Sequence, residues 1–199
     1  MRFEQVGPTV STEIATSAIW AMVAAAVGIL LYIWFAFRKV KNPVRYGVCA
    51  IVAMLHDALV VVGIFSILGR VVGLEIDALF ITAILTVIGF SVHDTIVVFD
   101  RIRENTSRRT SNTFEDTVNH SLLQTLARSV TTSLTVIVTL SALLVFGGVT
   151  IRGFVLALLI GIVSGTYSSI FNASLLLVVW QNHEIGRFFR RRSSRPATA

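Results

Sequence analysis

Apolar residues along this chain come in blocks of about twenty, separated by short polar stretches. Five blocks can be read: Thr16 to Phe37, Tyr46 to Leu68, Ile76 to Phe99, Gln124 to Phe146 and Phe154 to Trp180. A helix rises about 1.5 Å per residue, so roughly 20 residues cross a hydrocarbon core of about 30 Å. Inside hydrocarbon every backbone N–H and C=O must be satisfied within its own segment, so blocks of this length are expected to be helices. The pattern predicts an all-α protein: a polytopic bundle of five transmembrane helices over residues 16–180.

Composition agrees with that reading. Of the 199 residues 54% are hydrophobic and 14% charged, and the mean hydropathy of +0.78 is too high for a soluble surface. A net charge of +6 invites a nucleic-acid reading, but the positions of the basic residues exclude it. Thirteen of the 17 Lys and Arg residues fall in alternate connections, Arg38 to Arg45, Arg101 to Arg109 and Arg187 to Arg195. The positive-inside rule places those three segments in the cytoplasm, with the amino terminus outside and the carboxyl terminus inside. Residues 1–15 are then an external segment; either this short tail crosses with the first span, or a helix lies upstream of it. Residues 181–199 form a basic cytoplasmic tail. The first ten residues are polar and include Pro8, which does not fit a cleavable signal peptide. The connection 100–123 mixes both charge signs and is expected to hold a cytoplasmic pair of amphipathic helices along the membrane surface, with a simple solvated linker as the alternative. Cys49 has no partner in the chain, so neither an intrachain disulfide nor a cysteine metal site is available.

Charge inside the blocks is the chemical signal. Asp57 in the second block and Asp94 in the third lie deep, and each follows a histidine, His56 and His93. Ionisable groups in a span are expensive and mark functional sites by default. The third span runs inward and the fourth outward, which puts Asp94 and Arg128 at similar depth in the inner leaflet. A guanidinium favours the carboxylate and burial favours the neutral acid, a balance that lets a carboxyl bind and release protons. A permanent structural ion pair is the bland alternative. The fourth span is rich in hydroxyls, and Thr132, four residues beyond Arg128, is expected to share its helical face. The pair His56 and Asp57 reads either as a second polar site or as an interhelical hydrogen bond. Gly161 and Gly165 form a small-xxx-small pattern suited to close helix packing. Adjacent residues on a helix diverge, so the two His-Asp dipeptides are not natural metal-ligand pairs. No phosphate loop, nucleophile elbow or zinc-protease motif is present, and no enzyme is expected. The site calls for no cofactor, only protons as the coupling ion.

The run Ile88-Gly89-Phe90-Ser91-Val92-His93-Asp94-Thr95-Ile96-Val97-Val98-Phe99-Asp100-Arg101-Ile102-Arg103-Glu104-Asn105 resembles the signature of the SecF family, accessory subunits of the bacterial protein-export translocase. Val6 to Val10, Leu126 to Gly148 and Gly153 to Phe171 agree in order, so the resemblance covers residues 6–180. It implies one half of an RND-type transporter in the bacterial inner membrane, pairing with SecD and the SecYEG channel and acting on unfolded exported polypeptide. It also implies that Asp94 and Arg128 couple the proton gradient to late-stage translocation. Two departures are visible: His93 stands where the family commonly has Asn, and the family's first helix and periplasmic domain have no counterpart before Val6. The rival expectations are a proton-driven exporter of lipids or small molecules, and a scaffold half that carries no protons.

Overall fold

A computed structural model describes residues 8–38, 42–74, 76–108, 111 and 113–182. Six α-helices follow one another: α1 (Pro8–Ala36), α2 (Pro43–Val72), α3 (Ala78–Ser107), α4 (Phe114–Phe146), α5 (Arg152–Tyr167) and α6 (Ala173–Gln181). A 3-10 turn, Val149–Ile151, leads into α5, and a π-helical segment, Ser168–Asn172, joins α5 to α6 in one continuous rod. Among the described residues, five rods are therefore long and apolar enough to cross a membrane. Among the described residues there are no strands.

Local chemistry explains where the helices start and stop. Pro43 opens α2, where its missing N–H costs nothing, after Asn42 in the left-handed conformation (φ 67°). Gly73 closes the same helix at φ 72°, a conformation a side chain would resist, and its N–H returns to Gly69 O. Asp77 caps α3 by accepting from Phe80 N at 2.9 Å, and Thr113 caps α4 by accepting from Asp116 N at 3.1 Å. Glu115 and Asp116 in the first turn of α4 suit the positive end of its dipole.

Two boundaries differ from the sequence expectation. Helix α1 begins at Pro8, so part of the segment assigned to residues 1–15 is helical; residues 1–7 lie outside the described set. The charged connection is not a separate pair of surface helices: α3 continues to Ser107 and α4 begins at Phe114, so most of it forms the facing ends of two long helices. The cause is visible in α3, where Arg101–Glu104 (2.5 Å), Arg103–Asp100 (2.8 Å) and Arg108–Glu104 (2.8 Å) pair along the helix and support its continuation beyond the apolar block. The basic tail lies, from residue 183 on, outside the described residues.

Helix α3 is central, packing against α1, α2, α4 and α5. One apolar cluster, with Phe65, Phe80, Val87, Val155 and Leu158, fills the half of the bundle toward the α2–α3 connection. A second, with Phe37, Tyr46, Phe99, Ile102 and Leu177, fills the half toward the α3–α4 connection. On α3 and on the α5–α6 rod the residues between these clusters are polar and buried: Ser91, Asp94, Thr95, Ser168 and Ser169. The functional candidates thus lie in a polar layer sandwiched between two apolar ones.

Close approach of α5 to α3 depends on glycine. A Cβ on Gly161 would fall inside the contact radius of the Val87 side chain, whose stiff β-branched shape cannot swing aside. A Cβ on Gly165 would meet Ser91 Cβ at 3.1 Å, while one on Gly89 would meet nothing within 4 Å. Gly161→Ala is therefore expected to cost about 1–3 kcal/mol through overpacking. Thermal unfolding in detergent checks this against Gly89→Ala, which should be neutral or better; equal melting temperatures would contradict the packing.

Candidate functional site

Asp94 sits on α3 in the polar layer, 8% exposed. Ser129 Oγ of α4 donates to its Oδ1 at 2.7 Å, and its Oδ2 is buried with no hydrogen-bond partner. A clamp near the α3–α4 connection fixes this register: Asn105 Nδ2 donates to Ser121 Oγ and to Gln124 Oε1, both at 2.9 Å. Buried carboxyl oxygens are rarely left without a partner, because an unmade bond costs the full desolvation of the group. A proton on Oδ2 removes the charge, and the O–H it creates can turn to any acceptor that comes within reach. The carboxyl is thus half satisfied, with Oδ1 held by Ser129 and Oδ2 buried without a partner.

The residues expected around Asp94 do not all gather there. Arg128 makes no ion pair with Asp94 within 4.0 Å; it is exposed and lines a cleft of about 660 Å3 toward the α3–α4 connection, with Asp100, Arg101 and Glu104. The register that pairs Ser129 with Asp94 puts Arg128 at the same level but turned about 100° around α4. Thr132 is exposed, as Arg128 is, and touches nothing at the carboxyl. His93 is also exposed, on the outer side of α3. The contact that sequence reasoning missed is Ser129. Its signal was the spacing of hydroxyls every four residues, Thr117, Ser121, Thr125, Ser129 and Ser133, all buried on the face of α4 turned into the bundle. Ser133 extends that face outward by pairing with Thr166 of α5 at 2.6 Å.

Asp57 lies at the middle of α2 and is 0% exposed. It accepts from Ser91 Oγ of α3 at 2.5 Å and from Ser164 Oγ of α5 at 3.1 Å, and His56 Nδ1 lies 3.1 Å from its Oδ1. It therefore joins three helices, one turn along α3 from Asp94. Gly161 and Gly165 allow this approach by bringing α5 against Val87 and Ser91. Among the described residues no group of three His, Cys, Asp or Glu side chains gathers as a metal site.

Fold and site together define a polytopic helical membrane protein whose embedded acids are of the kind that mark proton or ion sites. The chain matches the sequence family described as protein export membrane protein SecD/SecF, C-terminal, over residues 1–183, and it belongs to that family. It is 70% identical over 189 residues to the protein translocase subunit SecF of Thermobaculum terrenum, a match covering 95% of this chain and 60% of the relative. It is 51% identical to the SecF subunit of Anaerolinea thermophila, covering 100% of this chain and 65% of the relative. The chain thus spans under two thirds of the length of these relatives. The crystal structure of SecDF, a translocon-associated membrane protein from Thermus thermophilus, superposes with a TM-score of 0.78 at 42% identity, over 89% of this chain and 23% of that one.

Proposed function

We propose that this chain is the membrane-embedded part of an auxiliary subunit of the protein-export translocase, in which Asp94 takes up and releases protons to drive late-stage movement of polypeptide. The observation that carries this reading is the buried, unpartnered Oδ2 of Asp94 beside Ser129. Its partners are a SecD-type subunit, by analogy with the SecDF relative, the SecYEG channel and the unfolded exported chain. Arg128, level with the acid but exposed, faces out of this half and serves the site electrostatically from the inner cleft. The names of the relatives favour export of protein over export of lipids or small molecules.

The test is the dependence of export on the proton gradient. In membrane vesicles carrying the complete subunit and its partners, stimulation of export after the ATP-driven stage should vanish when a protonophore collapses the gradient. Stimulation that survives collapse would make the subunit a scaffold.

The proposed setting is the bacterial inner membrane, with the amino terminus outside and the carboxyl terminus in the cytoplasm. A membrane-impermeant thiol reagent added outside the cell should label Gly148→Cys, which lies between α4 and α5, and spare Ser107→Cys at the inner end of α3. The reverse pattern would overturn the orientation.

A further inference from the structure

The proton role given to Asp94 makes no use of Asp57, although Asp57 is the more deeply buried of the two acids. Two hydroxyls and an imidazole are its polar contacts. Hydroxyl donors offset only part of the cost of a buried carboxylate, so its charge must be met by a proton or a cation. The helices packed against the site offer few. Helix α1 has no ionisable residue from Thr16 to Leu31, and the α5–α6 rod adds only the exposed Tyr167 between Gly153 and Val179. Helix α3 brings His93, which is exposed, and Asp94, which is engaged by Ser129. On α2 itself Tyr46 and Cys49 lie at least two turns away. His56 is left as the group that can meet the charge.

His56 is also connected to the outside of the bundle. Its side chain is 45% exposed and lines a groove of about 400 Å3 with Asn172, Val52 and Leu176. Its Nδ1 stands between two groups, Asp57 Oδ1 at 3.1 Å and Asn172 Nδ2 at 3.5 Å. With a hydrogen, Nδ1 donates to Asp57; without one, it accepts from the Asn172 amide. Asn172 ends the π-helical segment, a conformation frequent at functional sites.

We propose that His56 and Asp57 form a second proton-binding site, in which a proton taken up by His56 from the groove passes from Nδ1 to Asp57 Oδ1. The N–H bond breaks as the O–H bond forms, so imidazolium and carboxylate become neutral imidazole and neutral acid; the reverse step returns the proton. The state of Asp57 is felt on the helix that holds Asp94. Ser91, its partner, precedes Asp94 by three residues on α3, and a hydrogen bond to an ionised acceptor is about twice as strong as one to a neutral acceptor. The π-helical segment grips the same stretch: Ser169 Oγ accepts from Thr95 Oγ1 at 3.2 Å and shares its one hydrogen between Gly165 O at 2.7 Å and Ser91 O at 3.1 Å. Protonation of Asp57 thus loosens one of the bonds that hold this turn of α3.

Infrared spectroscopy of the full-length protein in phospholipid vesicles tests the site, because a protonated carboxyl gives a C=O band that shifts on transfer to D2O. Two pH-dependent bands are expected, one lost in Asp94→Asn and the other in Asp57→Asn. The band remaining in Asp94→Asn should exchange rapidly. Adding His56→Gln, which leaves the carboxyl and both hydroxyl donors in place, should slow that exchange on the order of 100-fold, the loss of a positioned acid–base group. This comparison does not need the Asp57→Asn variant to fold. Absence of a second titrating band in Asp94→Asn, or exchange at the unchanged rate with His56→Gln, overturns the proposal. The Asp94 band, read in the background of His56→Gln alone, reports separately on the proton role of Asp94.

Discussion

Asp94→Asn is expected to abolish the part of export that depends on the proton gradient while leaving the protein folded in the membrane. Asn matches Asp in volume, and its carbonyl can still accept from Ser129 Oγ, which holds Oδ1 at 2.7 Å. What disappears is the titratable carboxyl group, whose buried Oδ2 has no hydrogen-bond partner. Each proton crossing 100 mV supplies about 2.3 kcal/mol, a factor of roughly 50 in a two-state equilibrium. Removing that bias should reduce stimulation to the level seen without a gradient, not merely weaken it. Asp94→Glu keeps a titrating group at a displaced position and should recover part of the effect. Export assays in vesicles with matched protein levels read both variants. Unchanged stimulation in Asp94→Asn would remove Asp94 from the mechanism.

The second large effect is on stability. Asp57→Leu should lower the melting temperature substantially, whereas Asp57→Asn should lower it much less. Leucine keeps the branched skeleton but is bulkier, and it leaves Ser91 and Ser164 without the carboxylate oxygens they now bond, at 2.5 Å and 3.1 Å. Unmade bonds to buried hydroxyls cost about 1–3 kcal/mol in total here, because each serine can turn partly to its own helix carbonyls. Asparagine keeps one acceptor oxygen for them. Thermal unfolding in a lipid-like detergent decides the matter; equal melting temperatures for the two variants would show that Asp57 does not tie α2 to α3 and α5.

The spans were legible because hydrocarbon leaves the backbone almost no choice: a block of apolar residues such as Tyr46 to Leu68 reads directly as a helix. Their ends were not, since Pro43 and Thr113 start α2 and α4 ahead of their apolar blocks and Asp77 starts α3 two residues inside its block, by capping chemistry that hydropathy does not register. Asp94 stood out because a lone acid in a span is costly. Its partner did not, because charge drew attention to Arg128 and Thr132 while the inward face of α4 belongs to Ser129 and Ser133. The four-residue hydroxyl ladder contained that phase, but only tertiary contact shows which face is turned to α3. The difference between the two acids was equally hidden: Ser91 and Ser164 satisfy Asp57 through α3 and α5, and nothing local to His56-Asp57 predicts them. The π-helical segment Ser168–Asn172 left no trace in residue spacing, since it reads as ordinary helix.

Proton movement itself is the most direct measure of the central claim. The full-length protein, reconstituted with its SecD-type partner in vesicles that enclose a pH-sensitive dye, is placed under an imposed proton gradient and potential. The account predicts proton flux above the lipid background for the unmodified protein and background flux for Asp94→Asn at the same protein density. Flux through Asp94→Asn equal to that of the unmodified protein would contradict it.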